Sequence, residues 1–315
     1  RHTNADISSH VEYLLTDQQL RWPWEVAYLP GWRRASGDYP AFGLDNRSYW
    51  FRVGLHNRSG EMQLVMMDIR HSMLNVLDVF IVKNGQLLRV WNTGVARGSG
   101  AKPYPSKSFT LPLTLETDDG FDVYMRAQSN SFLQFPVELQ DIRIYTNQQA
   151  VGKLQMGVVS GAFILAGLYA LLMYAFIRER RFTYYALFCL SLVATFWLLK
   201  GYAILYDIIP YWLDDFRLLL TTSNLLLMGL ILSSLDMFRV WLPPRQRTLC
   251  RGILLLVAGE TLALWFIPLV WGIYCGLACY GLVTLLAISF CFYFLRRGSW
   301  LQRLYCYSWL GFMLG

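Results

Sequence analysis

The sequence predicts a two-part molecule: an N-terminal all-β, jelly-roll-like sandwich over residues 1–150, then an all-α, polytopic transmembrane helix bundle over 151–315. Three observations predict it. The first 150 residues carry fifteen Lys/Arg against fifteen Asp/Glu and no cysteine, whereas the last 165 carry thirteen Lys/Arg, six Asp/Glu and all six cysteines. Apolar and polar residues alternate with a period of two in the first part, the pattern of strands with one buried face. The second part is a succession of apolar runs of about 18–25 residues, long enough to cross the hydrocarbon core of a bilayer.

Each strand has its own signal. A first is expected near 11–15. In RSYWFRVGLH (47–56), Tyr49, Phe51, Val53 and Leu55 fall on one face and Trp50, Arg52 and His56 on the other. Further strands are expected at 61–69, 106–115 and 132–145. Between them, VLDVFIVKNGQLLRVWNTG contains an Asn84-Gly85 pair flanked by two apolar strands, the two-residue hairpin signal, because both turn positions need φ > 0. In 121–128, Phe121, Val123, Met125 and Ala127 alternate with Asp122, Tyr124, Arg126 and Gln128. Seven to nine short antiparallel strands in a sandwich follow. No long helix is expected before Leu154.

After Lys153 the period changes. Spans are expected at about 154–177, 182–199, 217–235, 249–267 and 271–295, with the start of a sixth over 304–315. Ten of the thirteen basic residues of this half fall in three short stretches, at 178–181, 239–251 and 296–303. Lys/Arg-rich short loops stay in the cytoplasm, so the first span runs inward and residues 1–150 lie outside. The loop 200–216, with Asp207, Asp214 and Asp215 against one lysine, agrees. The sixth span has only about twelve residues at Gly315, short of the ~20 needed to cross, so the sequence is expected to be a piece of a longer protein.

Composition excludes several classes. The charges of the first part cancel, leaving no basic patch for nucleic acid. Cys189, Cys275, Cys279 and Cys291 lie in apolar spans and read as small packing residues; Cys275 and Cys279 have no His or carboxylate nearby to complete a metal site. His2, Asp6 and His10 share helical spacing, but no metal site is assigned there. No cofactor is implied. P-loop, G-x-S-x-G, H-E-x-x-H and CxxC motifs are all absent, and Asp118, Asp119 and Glu138 do not form a recognisable carboxylate pair, so no catalytic residue is assigned.

Several segments together resemble the bacterial seven-transmembrane receptors with diverse intracellular signalling modules, in particular those with the type 2 extracellular domain. They are HVEYLLTD, Gly31-Trp32, the stretch from Phe42 to Ser59 with its Tyr49-Trp50-Phe51-Arg52 strand and Asn57, SFTLPLTL, and GFDVYMRAQSNSFLQFPVEL. The resemblance covers nearly the whole chain. It implies a periplasmic jelly roll similar to carbohydrate-binding modules, a multi-pass domain in the bacterial inner membrane, and a cytoplasmic diguanylate cyclase or histidine kinase that is not in these residues. It also implies a glycan or small-molecule ligand, and a homodimer or receptor hetero-oligomer. The alternative is a transporter or membrane scaffold with a periplasmic binding domain, but no inverted repeat is visible.

A sugar site needs an exposed aromatic plate and directional hydrogen-bonding groups. Trp50, Arg52, Tyr124, Arg126 and Gln128 supply those types on the outward faces of two strands; if the strands are neighbours, they line one concave sheet. In the competing account, Trp50 packs beneath a loop and the arginines hold structural carboxylates. Trp91, Tyr104 and Gln134 are weaker candidates. In the membrane half, Glu260 lies mid-span, where a charge is costly, and Asn224 lies at a matching depth on an antiparallel span. The pair is either interhelical glue or a proton-sensitive contact.

Overall fold

The computed structural model describes residues 4–297 apart from 17–19, 35–36, 131, 211–212, 214, 239–241 and 243, together with positions 300, 303 and 307. The chain divides into two compact units, one of residues 1–160 with 196–218 and one of 161–195 with 219–315.

The first unit contains the strands β1 (Asn4–Asp6), β2 (Glu12–Leu15), β3 (Arg33–Arg34), β4 (Ala41–Leu44), β5 (Tyr49–His56) and β6 (Gln63–Ile69), with the single-turn helix α1 (Pro23–Val26) after β2. It continues through β7 (Val76–Lys83), β8 (Gln86–Thr93), β9 (Phe109–Leu115), β10 (Gly120–Gln128), β11 (Phe132–Gln134) and β12 (Val137–Asp141). All pairings are antiparallel, in a six-stranded sheet ordered β3-β2-β5-β10-β7-β8, a four-stranded sheet ordered β1-β12-β6-β9, and a two-stranded ribbon of β11 and β4. The expected hairpin is β7–β8, with Asn84 at φ 51° and Gly85 at φ 76°.

Phe51, Val53, Val79, Val123 and Met125 of the larger sheet and Val65, Met67, Leu111 and Leu139 of the smaller one form a single buried cluster. The alternation read from 49–55 and 121–127 therefore points into this core. Phe51 also stacks on Phe135 at 3.8 Å between ring centres, in an interplanar angle of 3°. The opposite face of the larger sheet is covered as well: Trp50, Phe80 and Tyr124 pack with Leu14 and Val26, and Leu20, Leu29 and Trp32 lie over them.

Two expectations are corrected here. The segment 132–145 is not one strand; β12 stops at Asp141 and the helix α2 (Ile142–Ile177) starts at once, twelve residues before the expected Leu154. Its first turns are rich in Thr, Asn and Gln and carry no apolar run, so hydropathy does not reveal them. They are tied to the sandwich by Tyr145, which is buried and whose hydroxyl lies 2.8 Å from Thr110 Oγ1.

Beyond α3 (Arg180–Leu199), the chain makes the short helix α4 (Tyr202–Leu205) within the same unit as the sandwich. Ile204 is a member of the sandwich core. Gly201 has φ +75°, and a Cβ there would lie 2.5 Å from the Lys107 carbonyl oxygen and 2.8 Å from Ser72 Cβ. Both the conformation and the space thus demand glycine. The loop after the second span is keyed into the β core.

The second unit contains the remainder of α2 and α3 with α5 (Asp215–Met237), α6 (Pro244–Ala263) and α7 (Leu269–Arg297). Leu227, Ile231, Val257, Cys279 and Val283 form its core across α5, α6 and α7. Among the described residues, four helices are long and apolar enough to cross a membrane: Ile142–Ile177, Arg180–Leu199, Phe216–Met237 and Leu269–Ser289. The expected span at 249–267 falls on α6, which is not among them; it carries Arg247, Arg251 and Glu260. Most of the expected sixth span, from 304, lies outside the described residues.

Candidate functional site

The register of the larger sheet sets the site. β10 lies between β5 and β7, so Arg126 pairs with Trp50 on one side and with Asp78 on the other. Cross-strand partners have neighbouring side chains. Arg126 accordingly donates to Asp78 through Nε at 3.0 Å and through Nη2. Arg97, from the turn after β8, approaches the other oxygen: its Nη1 donates to Asp78 Oδ1 and, at 3.0 Å, to the Thr93 carbonyl oxygen. The Asp78 side chain is only 4% exposed, clamped between two guanidinium groups.

Above this clamp lies a cleft of about 850 Å³. Its floor includes Asp78, Phe80, Arg126 and Gln128, and one wall is formed by Leu20, Arg21 and Trp22. Gln128 Nε2 donates to the Asn46 carbonyl oxygen at 2.8 Å. At the rim, Trp22 and Trp24 stack at 4.9 Å with an interplanar angle of 8°, and both are exposed. Glu25 fixes this platform by accepting the backbone N–H of Arg21 at 2.7 Å and of Trp22 at 2.9 Å. Those two bonds hold its carboxyl below the usual carboxylate range.

The cleft is cationic. Arg21, Arg47, Arg97 and Arg126 line it, and Asp78 is the lining carboxylate among the described residues. Arg47 is held outside by Asp45, with Nη2–Oδ2 at 2.7 Å; Arg97 and Arg126 share one carboxylate, and Arg21 makes no ion pair among the described residues. Among the described residues, the lining carries more positive than negative charge.

The five sequence candidates therefore separate. Arg126 and Gln128 line the cleft. Trp50 does not form an exposed plate: it is fully buried, stacked on Phe80 at 5.7 Å beneath the 20–32 segment. Arg52 donates to Glu12 Oε2 at 2.7 Å and lies over the Trp32 ring at 4.3 Å, and Tyr124 meets the edge of the same ring at 6.3 Å. A segment folded across one end of the sheet covers these three and leaves the other end open. Of the weaker candidates, Trp91 packs under Arg89, Tyr104 meets Tyr145, and Gln134 lies on the β4–β11 ribbon, all away from the cleft.

Sequence reasoning missed Asp78, Arg97 and the Trp22-Trp24 pair. Asp78 had a signal, as a lone carboxylate inside the apolar strand VLDVFIV. Trp22-Pro23-Trp24, followed by Glu25, marked a capped helix start with two tryptophans one residue apart. Arg97 had none, since only the turn after β8 brings it over the sheet.

Other groups have structural roles. Asp119 pairs with Lys83 and Glu138 with Arg70. His2 lies outside the described residues, and no three metal-binding side chains cluster among the described ones. In the helical unit, Asn224 and Glu260 are both buried, and Asn224 Nδ2 donates to Glu260 Oε2. Asn224 Oδ1 and Glu260 Oε1 have no hydrogen-bond partner among the described residues.

Two family models match, one described as 7TMR-DISM extracellular 2 over residues 8–141 and one as 7TM diverse intracellular signalling over residues 153–315. No curated protein matches the chain significantly. The sandwich that carries the cleft and the helices that follow it are thus the extracellular and membrane domains of one receptor type, and the chain belongs to the 7TMR-DISM family of seven-transmembrane receptors with diverse intracellular signalling.

Proposed function

We propose that the chain is the sensory and membrane portion of a bacterial inner-membrane receptor, whose periplasmic domain binds a glycan-like or small ligand in the cleft above Asp78 and Arg126. The cleft is the observation that carries this. It has the volume of a small-molecule site, directional polar groups on its floor and a stacked tryptophan pair at its rim. The surplus of arginine favours a ligand with a carboxylate, because a guanidinium fork matches a carboxylate in bidentate geometry. An acidic sugar combines that group with a ring face for tryptophan.

A jelly-roll reading of the sandwich is supported by its strand order. With β1 leading, β12, β6 and β9 complete one four-strand array and β5, β10, β7 and β8 the other, and these eight strands, taken in chain order, alternate between the arrays at every step except the β7–β8 hairpin. Ligand in the cleft favours one arrangement of the sandwich only by its differential affinity for the two. The insertion of Ile204 into the sandwich core supplies a path from that change to the loop between α3 and α5. A cytoplasmic diguanylate cyclase or histidine kinase would read the change, in a homodimer or receptor hetero-oligomer; both follow from the family, not from the cleft.

Calorimetric titration of the 1–315 chain in lipid nanodiscs tests the reading, with galacturonate and glucuronate oligosaccharides as probes and maltose and cellobiose as neutral controls. An acidic probe is expected to bind and to be recovered unchanged, and Arg21→Ala is expected to weaken it roughly tenfold, as for loss of one charge-assisted pair. If no acidic probe binds at millimolar concentration, the proposed ligand chemistry is wrong.

A further inference from the structure

A second cavity of about 400 Å³ lies in the same unit, on the side of the sandwich where α2 begins and α3 ends. Three cationic side chains from separate segments line it: Arg70 after β6, Lys107 before β9 and Lys200 after α3. Arg70 is paired with Glu138. Lys107 and Lys200 make no ion pair among the described residues, and both line the same cavity. Burial, and then the charge of Lys200, push the Lys107 amine below its usual value. Holding two like charges close together opposes folding.

The remaining lining suits an oxyanion. Gln148 already accepts from Gln140 Nε2 at 3.2 Å, so the capacity left on its amide is that of a donor. Asp68 is the one carboxylate in the lining among the described residues. Its Oδ1 is turned to the hydroxyls of Ser108 at 2.6 Å and Thr110 at 2.9 Å, and burial raises its carboxyl toward the neutral form. Its Oδ1 is thus engaged by hydroxyl donors of the cavity wall.

Position selects the source. Lys200 directly follows the exposed, apolar Leu199 that ends α3, and Gln148 precedes the exposed Leu154 of α2 by six residues, about 9 Å along a helix. The headgroup layer on each side of the hydrocarbon core is about 5–8 Å deep. The cavity is therefore at headgroup level on the side of the extracellular domain.

We propose that this cavity binds a phosphate group, supplied by the headgroup of a bilayer lipid, between Lys107 and Arg70 of the sandwich and Lys200 of the helix end. Occupancy would bridge the sandwich to the loop that carries Ile204, independently of any ligand in the cleft.

The test is native mass spectrometry of the detergent-solubilised 1–315 chain with dihexanoyl phosphatidylglycerol, inorganic phosphate, or dihexanoylglycerol, which lacks the phosphate. Retention of phosphatidylglycerol but not of dihexanoylglycerol is expected. Removing two interfacial cations in K107Q/K200Q should weaken it by roughly tenfold or more, while Arg58→Gln, exposed elsewhere on the sandwich, should not. Lys200→Glu alone, at an exposed helix end, serves if the double variant fails to fold. Inorganic phosphate displacing the lipid would support recognition of the phosphate itself. Inorganic phosphate binding as tightly as the lipid would overturn the lipid source, and unchanged lipid binding in K107Q/K200Q or Lys200→Glu would overturn the site.

Discussion

Single side chains in this molecule act as pins whose loss has calculable consequences. Asn57 is buried at the end of β5. Its amide donates to the carbonyl oxygens of Glu61 at 2.7 Å, Glu116 at 2.9 Å and Leu115 at 3.1 Å, and its oxygen accepts from Ser59 Oγ at 2.7 Å. Asn57→Ala removes these bonds at a buried site and should cost about 3 kcal/mol, read as a lowered thermal midpoint in tryptophan fluorescence. His71 offers a pH prediction. Its Nε2 must donate to the Phe132 carbonyl oxygen at 2.9 Å, while Nδ1 accepts the Met73 N–H at 3.1 Å, so the ring is held neutral. Burial lowers its pKa when folded. The unfolded chain then takes up a proton first as pH falls below about 6.5. Stability is present above that pH and is lost on acidification, and the melting profile of His71→Asn should be flatter between pH 7 and 5. Residue-level legibility was uneven for a physical reason. Period-two alternation correctly divided Trp50 from Phe51, but a two-fold period cannot say whether the second face meets water or another segment. Trp50 met the 20–32 segment.

Elements were legible where one solvent governed them. Strands with a single core face, such as β5 and β10, and helices surrounded by apolar neighbours, such as α3, stand out in the sequence. α2 did not, because its first turns leave the sandwich as a polar helix before the apolar run begins. α4 did not either; Tyr202–Leu205 looks like part of a loop, and only tertiary packing shows Ile204 in the β core. Gly201→Ala would force a side chain into left-handed backbone and against the Lys107 carbonyl. It should release α4, seen as faster hydrogen exchange over 200–206 with the exchange of β5 and β10 unchanged; equal exchange in both would show that the loop is not keyed by this glycine. In the helical unit, Asn224 on α5 reaches Glu260 on α6. An amide supplies the same acceptor as a neutral carboxyl, so Glu260→Gln should remain monodisperse and melt within a few degrees of wild type. Aggregation of that variant would mean the ionised carboxylate is required. If receptor output changes in it with folding intact, the pair is a proton-sensitive contact and not only glue.

At the scale of the whole molecule, an extracellular β domain and a set of membrane helices form two compact units, and the loop between α3 and α5 belongs to the unit of the β domain. The two-part architecture was visible in charge and hydropathy because water and lipid select different residues. The cleft was not, because Asp78, Arg97 and Trp22 come from distant parts of the sequence and only the sheet register gathers them. A ligand held over Asp78 and Arg126 is expected to change the loop that carries Ile204. Hydrogen–deuterium exchange of the 1–315 chain in nanodiscs, with and without a saturating acidic oligosaccharide, tests it most directly. Slowed exchange is expected at 20–22 and 90–97 together with altered exchange at 200–206. Protection of the cleft with no change at 200–206 would contradict it.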